Sequence, residues 1–290
     1  MPERRPRLDR RSIVTRVSAA RDELRMQKQV REQMQERIHE IIHQRRNDPG
    51  TEVVWTRLET ASRRTRREVD RIVDAASDVA DRDGLEALSM RRLAQELDTG
   101  TTSIYRYVTS KDELLELMVD AVNAEDPFLG ATPGTWPPED WRSGFTLMAR
   151  AVRLQMLAHP WLAAEVPTRP TMGPNTLRVA DVALGIAARM TPDRTYAGAA
   201  LATLMRYVRG AVSDELAEIT AQKRTGMTEH EWQHSISPYI RTVLDAGEYP
   251  SFAAAIVDGE DLTAEEQFEF GLARLIDGFE RFAASGATAT

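Results

Sequence analysis

The chain has 290 residues, enough for two domains or one large one, and no cysteine, which excludes disulfides and thiolate-bound zinc. No apolar run approaches the roughly 18 residues of a membrane helix, and the arginine-rich start lacks a secretory pattern, so a cytoplasmic address is expected. The net charge of −7 hides an asymmetry: residues 1–67 hold 18 Lys+Arg against 10 Asp+Glu, a net of +8, and the rest hold 20 against 35, a net of −15. A basic end on an acidic body suits a chain that meets a polyanion at one end; a solvated tail that binds nothing is the alternative.

Helix formers dominate and alternating strand patterns are nearly absent, so an all-α fold is expected. Residues 1–65 form a basic extension. Its first dozen residues, with Pro2 and Pro6, are expected to be disordered. Ser12 to about Arg46 predicts one long charged helix with a narrow stripe of Val30, Met34, Ile38 and Ile41. Asn47-Asp48-Pro49-Gly50 ends it, and Arg63, Arg64, Arg66 and Arg67 make a basic cluster.

Residues 66–125 predict a second unit. A helix from about Arg66 to Asp83 places Val69, Ile72, Val73, Ala76, Val79 and Ala80 on one face, and Gly84 closes it. Ser89 caps the next helix, with Met90, Leu93, Ala94 and Leu97 inward. Asp98, Thr99 and Gly100 carry turn chemistry. Thr101 to Val108 restarts the period with Ile104 and Val108 buried. Thr101, Thr102, Ser103, Arg106 and Tyr107 are left on the open side. Two short helices with such a surface suit a major groove, where Arg pairs with guanine and hydroxyls meet several base edges. Ser110 caps a fourth helix, with Glu113 at the capping-box position and Leu114, Leu115, Met118 and Val122 inward. Asp126 to Pro138 predicts a linker.

Residues 139–286 predict a helical third unit. Trp141 to His159 turns Phe145, Met148, Val152 and Met156 inward, and His159-Pro160-Trp161 interrupts it. Pro167 to Pro174 predicts a loop. Helices follow over Thr176–Met190 and Pro192 to about Thr225. Pro238, Gly247 and Pro250 are expected to break Thr228–Val257 into pieces. Thr263 to Ala284 ends the fold with Phe268, Leu272, Leu275, Ile276, Phe279 and Phe282 on one side. Gly271 and Gly278 near that face suggest close approach of another helix.

Two segments, His39-Glu40-Ile41-Ile42-His43 and His230-Glu231-Trp232-Gln233-His234, match H-E-x-x-H, which on a helix can bind zinc beside a general base. A catalytic zinc needs a third protein ligand and an open position, and no third histidine follows at a suitable spacing. A metal-binding protein or zinc hydrolase is therefore the alternative function. A partner-binding helical module resting on the long N-terminal helix is another. No catalytic triad, carboxylate pair or phosphate-cradling loop stands out, and neither an enzyme nor a cofactor is expected.

The stretch Ile72 to Asp120 resembles the DNA-binding domain of TetR-type bacterial repressors. The likeness lies in the first-helix stripe, Gly84-Leu85, Leu93-Ala94…Leu97, Tyr105, and Lys111 before Leu114-Leu115. His159–Trp161, Gly173–Arg178 and Phe268–Phe282 are similar to the regulatory domain of the tetracycline-repressor branch. The resemblance implies an all-helical homodimer on a palindromic operator, released when a small effector enters the C-terminal domain. Carried over by position, Arg91, Thr101, Thr102, Ser103 and Arg106 would meet base edges, and Ser89, Tyr105, Tyr107 and Lys111 would meet phosphates. Tyr105 as core packing, and Arg91 and Arg92 as a solvated face, are the plainer alternatives. Asp98-Thr99 departs from the family's usual Gly and apolar residue, and Gly100 is expected to take over the special backbone conformation. Met148, Trp161, Met172, Met205 and Tyr207 are candidates for an effector pocket, apolar or aromatic in preference, with plain core as the alternative. The last helix and the Pro192–Thr225 helix would form the dimer seam.

Overall fold

A computed structural model describes residues 53–125, 139–164 and 171–285. The long helix expected over Ser12–Arg46, the His39–His43 motif and the linker expected over Asp126–Pro138 lie outside the described residues. The chain divides into two compact units, residues 1–61 and 62–290. Within the first, α1 spans Val54–Thr60.

The second unit is built from helices alone among its described residues. α2 spans Arg63–Asp83, three residues earlier than the apolar stripe alone suggests, because the Ser62 hydroxyl accepts the Thr65 N–H and caps it there. Its six stripe residues are all buried. Gly84 exits at φ +83°, and a single tight turn over Leu85–Ala87 leads to α3, Met90–Glu96. α4 spans Thr101–Tyr105 and α5 spans Lys111–Ala124. On α5 the buried face is Leu114, Leu117, Met118 and Val122, so Leu117 takes the place expected of Leu115, which is half-buried.

Six helices and one short turn of helix follow. α6 is Trp141–Ala158, α7 Trp161–Ala164, α8 Pro174–Met190, α9 Arg194–Thr225, α10 Glu229–Asp245, α11 Pro250–Asp258 and α12 Ala264–Ala284. Side-chain oxygens of Asp140, Asp193, Thr228 and Thr263 satisfy the leading N–H groups of α6, α9, α10 and α12. α9 has 32 residues, about 48 Å of helix. It packs with α6, α8 and α12 around Phe145, Ile186, Leu204, Val208, Phe268 and Leu272.

Two expectations change. Pro238 sits inside α10 without ending it; only Gly247 and Pro250 mark a break. Gly271 does face a close neighbour, but that neighbour is in the same chain. A Cβ there would lie 2.4 Å from the Tyr207 hydroxyl, which donates to the Phe268 carbonyl at 2.7 Å while the two rings stack. Burial pushes the Tyr207 phenol above its ordinary range. α10 and α11 bury no residue at all.

Candidate nucleic-acid interface

α4 has five residues, far too few to persist in water alone. Tertiary burial holds it: Ile104 is 1% exposed and Val108 fully buried, each contributing about 1.5–3 kcal/mol. The helix ends at Tyr105, so Arg106 to Val108 lie in the turn that follows and not in a longer helix. The preceding turn also differs from expectation. Asp98, not Gly100, takes the left-handed conformation, at φ +48°, while Gly100 is extended at φ −82° and forms the N-cap. A short polar side chain tolerates that region better than most, since it can bond its own backbone.

With those anchors in place, Thr101, Thr102, Tyr105 and Arg106 stand exposed on one surface. Tyr105 is 50% exposed, so it is not core packing. Ser103 and Tyr107 are half-buried and line a groove against Glu68 and Arg71 of α2. Arg71 also donates to the Leu97 carbonyl at 3.1 Å, fixing α2 to the end of α3.

The two adjacent arginines of α3 separate cleanly. Arg92 pairs with Asp83 at 3.2 Å and Glu96 at 3.7 Å, and Arg82 reaches the same two carboxylates. Arg91 and Arg106 are exposed and have no ion-pair or hydrogen-bond partner among the described residues. Ser89 caps α3 by accepting the Arg92 N–H at 3.1 Å, and its own proton remains available for donation. Lys111 donates to the Leu85 carbonyl at 3.2 Å, which leaves two of its three N–H groups for an external anion.

Sequence spacing missed the joint between the helix-turn-helix region and the C-terminal helices. Asp120 is 3% exposed and lies between α5 and the start of α8. One carboxylate oxygen accepts the Asn175 and Thr176 N–H groups, at 3.0 and 2.8 Å, and the Thr176 hydroxyl at 3.0 Å. The other accepts the Asn175 side-chain amide at 3.0 Å. A carboxylate capping the leading N–H groups of a 17-residue helix gains from its dipole. Asp81 of α2 makes the second tie, accepting from the Trp161 indole at 2.7 Å and contacting His159 Nδ1 at 2.9 Å. The only hint in the sequence was a carboxylate inside each of two otherwise apolar faces.

The five effector candidates are placed differently from one another. Met148 is buried in the C-terminal core, and Met205 and Tyr207 pack half-buried against it. Trp161 is 3% exposed and held by Asp81; Met172 is 57% exposed. The second H-e-x-x-H segment opens α10. There Glu231 accepts the Thr228 N–H at 2.8 Å and its hydroxyl at 3.0 Å, which hold the carboxyl below its usual range. Glu231 is thus a helix cap, and His230 and His234 are exposed. Among the described residues no group of three or more His, Cys, Asp or Glu is arranged to hold a metal ion.

Comparison with known proteins agrees with this geometry. Residues 72–118 match the family model described as bacterial regulatory proteins of the tetR family, and residues 133–282 match the tetracyclin repressor-like C-terminal domain. The chain is 37% identical over 214 residues to the HTH-type transcriptional repressor DrrR1 of Streptomyces coeruleorubidus, covering 73% of this chain and 77% of that protein. It is 28% identical over 219 residues to the class A tetracycline repressor of Escherichia coli, covering 75% and 92%. Among solved structures, ActR of Streptomyces coelicolor in complex with actinorhodin matches at 30% identity and a TM-score of 0.60, over 74% of this chain and 97% of that one.

Proposed function

The chain belongs to the TetR family of bacterial transcriptional regulators, and from that premise we propose that it is a repressor that binds a palindromic operator as a homodimer and is released by a small apolar or aromatic effector. It is a DNA-binding regulator and not an enzyme. Residues 66–125 supply the DNA-binding domain, residues 139–286 the regulatory and dimerisation domain, and residues 1–65 a basic extension. Binding chromosomal DNA places it in the bacterial cytoplasm.

One observation carries the DNA-binding surface: Arg91 and Arg106 are solvent-facing and unpartnered among the described residues, beside Thr101, Thr102 and Tyr105 on a helix held by Ile104 and Val108. Arg91, Thr101, Thr102, Ser103 and Arg106 read bases in this account. Ser89, Tyr105, Tyr107 and Lys111 set register on phosphates. Release follows from the two ties at Asp120 and Asp81. An effector that shifts α8 or α7 moves α5 and α2 with it, and so the spacing of two recognition helices in a dimer. The solved ActR complex with actinorhodin makes an aromatic effector the natural first guess. Met148, Met205 and Tyr207 are the best-placed lining residues. Trp161 stands at the joint itself, and Met172 at the exposed end before α8. α9 and α12 would form the dimer seam, where Ile219 and Phe270 remain exposed in the single chain.

The test is a gel-shift titration on fragments of the promoter beside the protein's own gene. Arg106→Ala is expected to lose about 1–3 kcal/mol of discrimination at one base position. Equal affinity and equal discrimination would remove Arg106 from the reading surface.

A further inference from the structure

We infer that the DNA-contacting surface extends past the recognition helix onto the first turn of α2, where Arg64 and Arg67 grip backbone phosphates beside the bases being read; this rests on the DNA-binding function proposed above.

Four of the first five residues of α2 are arginines, Arg63, Arg64, Arg66 and Arg67, and the first turn holds no acid. This opposes ordinary helix electrostatics. The N-terminus of a helix already carries partial positive charge, and carboxylates, not guanidinium groups, are stabilising there. Repulsion within such a turn is relieved when an external polyanion is present. Arg63, Arg64 and Arg67 are exposed and have neither an ion-pair nor a hydrogen-bond partner among the described residues. The contrast with the other arginines nearby is direct, since Arg82 and Arg92 are neutralised by Asp83 and Glu96 and Arg71 is fixed to the Leu97 carbonyl.

Position supplies the second argument. Glu68 and Arg71 line the groove shared with Ser103 and Tyr107 of the recognition region. Arg67 lies four residues before Arg71, and Arg64 four before Glu68, so both continue the same helix face by one turn. Side chains on a helix lean toward its N-terminus, which carries these two guanidinium groups beyond the groove's end, away from the core and alongside the exposed recognition surface. Guanidinium groups in that place suit phosphate oxygens, which they engage in a planar fork. Contacts of this kind fix orientation and affinity but carry no base information.

The experiment is a salt titration of binding with the full chain, comparing Arg64→Gln/Arg67→Gln with wild type on the operator and on a random duplex. Circular dichroism is expected to be unchanged, because both side chains are exposed. The double variant is expected to bind both duplexes several-fold more weakly. Its plot of log affinity against log salt should be shallower by about 1.8, from a slope of about 0.9 per phosphate contact, and its preferred base sequence should be unaltered. Unchanged slope and affinity, with wild-type binding intact, would overturn the α2 contact and leave the recognition surface standing. A changed base preference at constant slope would also overturn it. Failure of wild type to bind any duplex would overturn both.

Discussion

Asp98 holds φ at +48° in the tightest turn of the DNA-binding region, a conformation that favours glycine. The turn must reverse direction between α3 and α4 within four residues, and one of them has to be left-handed. Glycine there relieves about 1 kcal/mol of steric cost, part of which is returned through the greater freedom of the unfolded chain. A β-branched residue there adds cost. Thermal melts of Asp98→Gly, wild type and Asp98→Val are therefore expected to rank in that order. Val would lose about 1–2 kcal/mol, and a Val variant as stable as wild type would contradict this backbone assignment. The same turn shows where residue-level inference stops. Asp, Thr and Gly all announce a turn, but which of them takes the left-handed position depends on how α3 ends. Thr99 N–H bonds back to the Ala94 carbonyl, and the sequence alone carries no mark of that bond.

At the scale of elements, caps and stripes were legible. Ser62, Ser89 and Ser110 each accept a backbone N–H three residues on, and the six apolar residues of α2 are buried as their spacing requires. The recognition surface was legible for the same reason: Ile104 and Val108 are buried, and that leaves few other side chains to point outward. The joint was not legible, because Asp120 becomes intelligible only once α8 starts against it, fifty-five residues later. Asp120→Asn tests its weight. The amide keeps one acceptor, but its NH₂ would face either the Asn175 side-chain amide or the backbone N–H groups at the helix start, donor against donor. Leaving a buried donor unsatisfied costs about 1–3 kcal/mol, so the melting temperature is expected to fall by several degrees. An unchanged melt would show that α5 and α8 are held by their apolar contacts alone.

The whole molecule is proposed to act as a pair of chains, and two glycines of α12 separate intrachain packing from interchain packing. Gly271 sits under Tyr207 of its own chain, whereas a Cβ at Gly278 would meet no atom within 4 Å. Gly271→Leu is expected to displace Tyr207 and cost about 1–3 kcal/mol as an overpacked core, at every protein concentration. Gly278→Leu leaves the single chain intact, and if α12 lies in the seam it weakens the dimer in a concentration-dependent way in sedimentation experiments. Concentration dependence for Gly271→Leu and none for Gly278→Leu would reverse the assignment. The exposed faces of α10 and α11 also belong to this scale, since no residue of either helix is buried in one chain.

The most direct measurement is selection from a random-sequence duplex library by the purified full chain, followed by sequencing of what is retained. A palindromic motif with two half-sites about one helical turn apart is expected. Arg106→Ala should blur one position in each half. Retention of duplexes with no shared motif, by wild type at low salt, would contradict sequence-specific recognition by the α3–α4 surface.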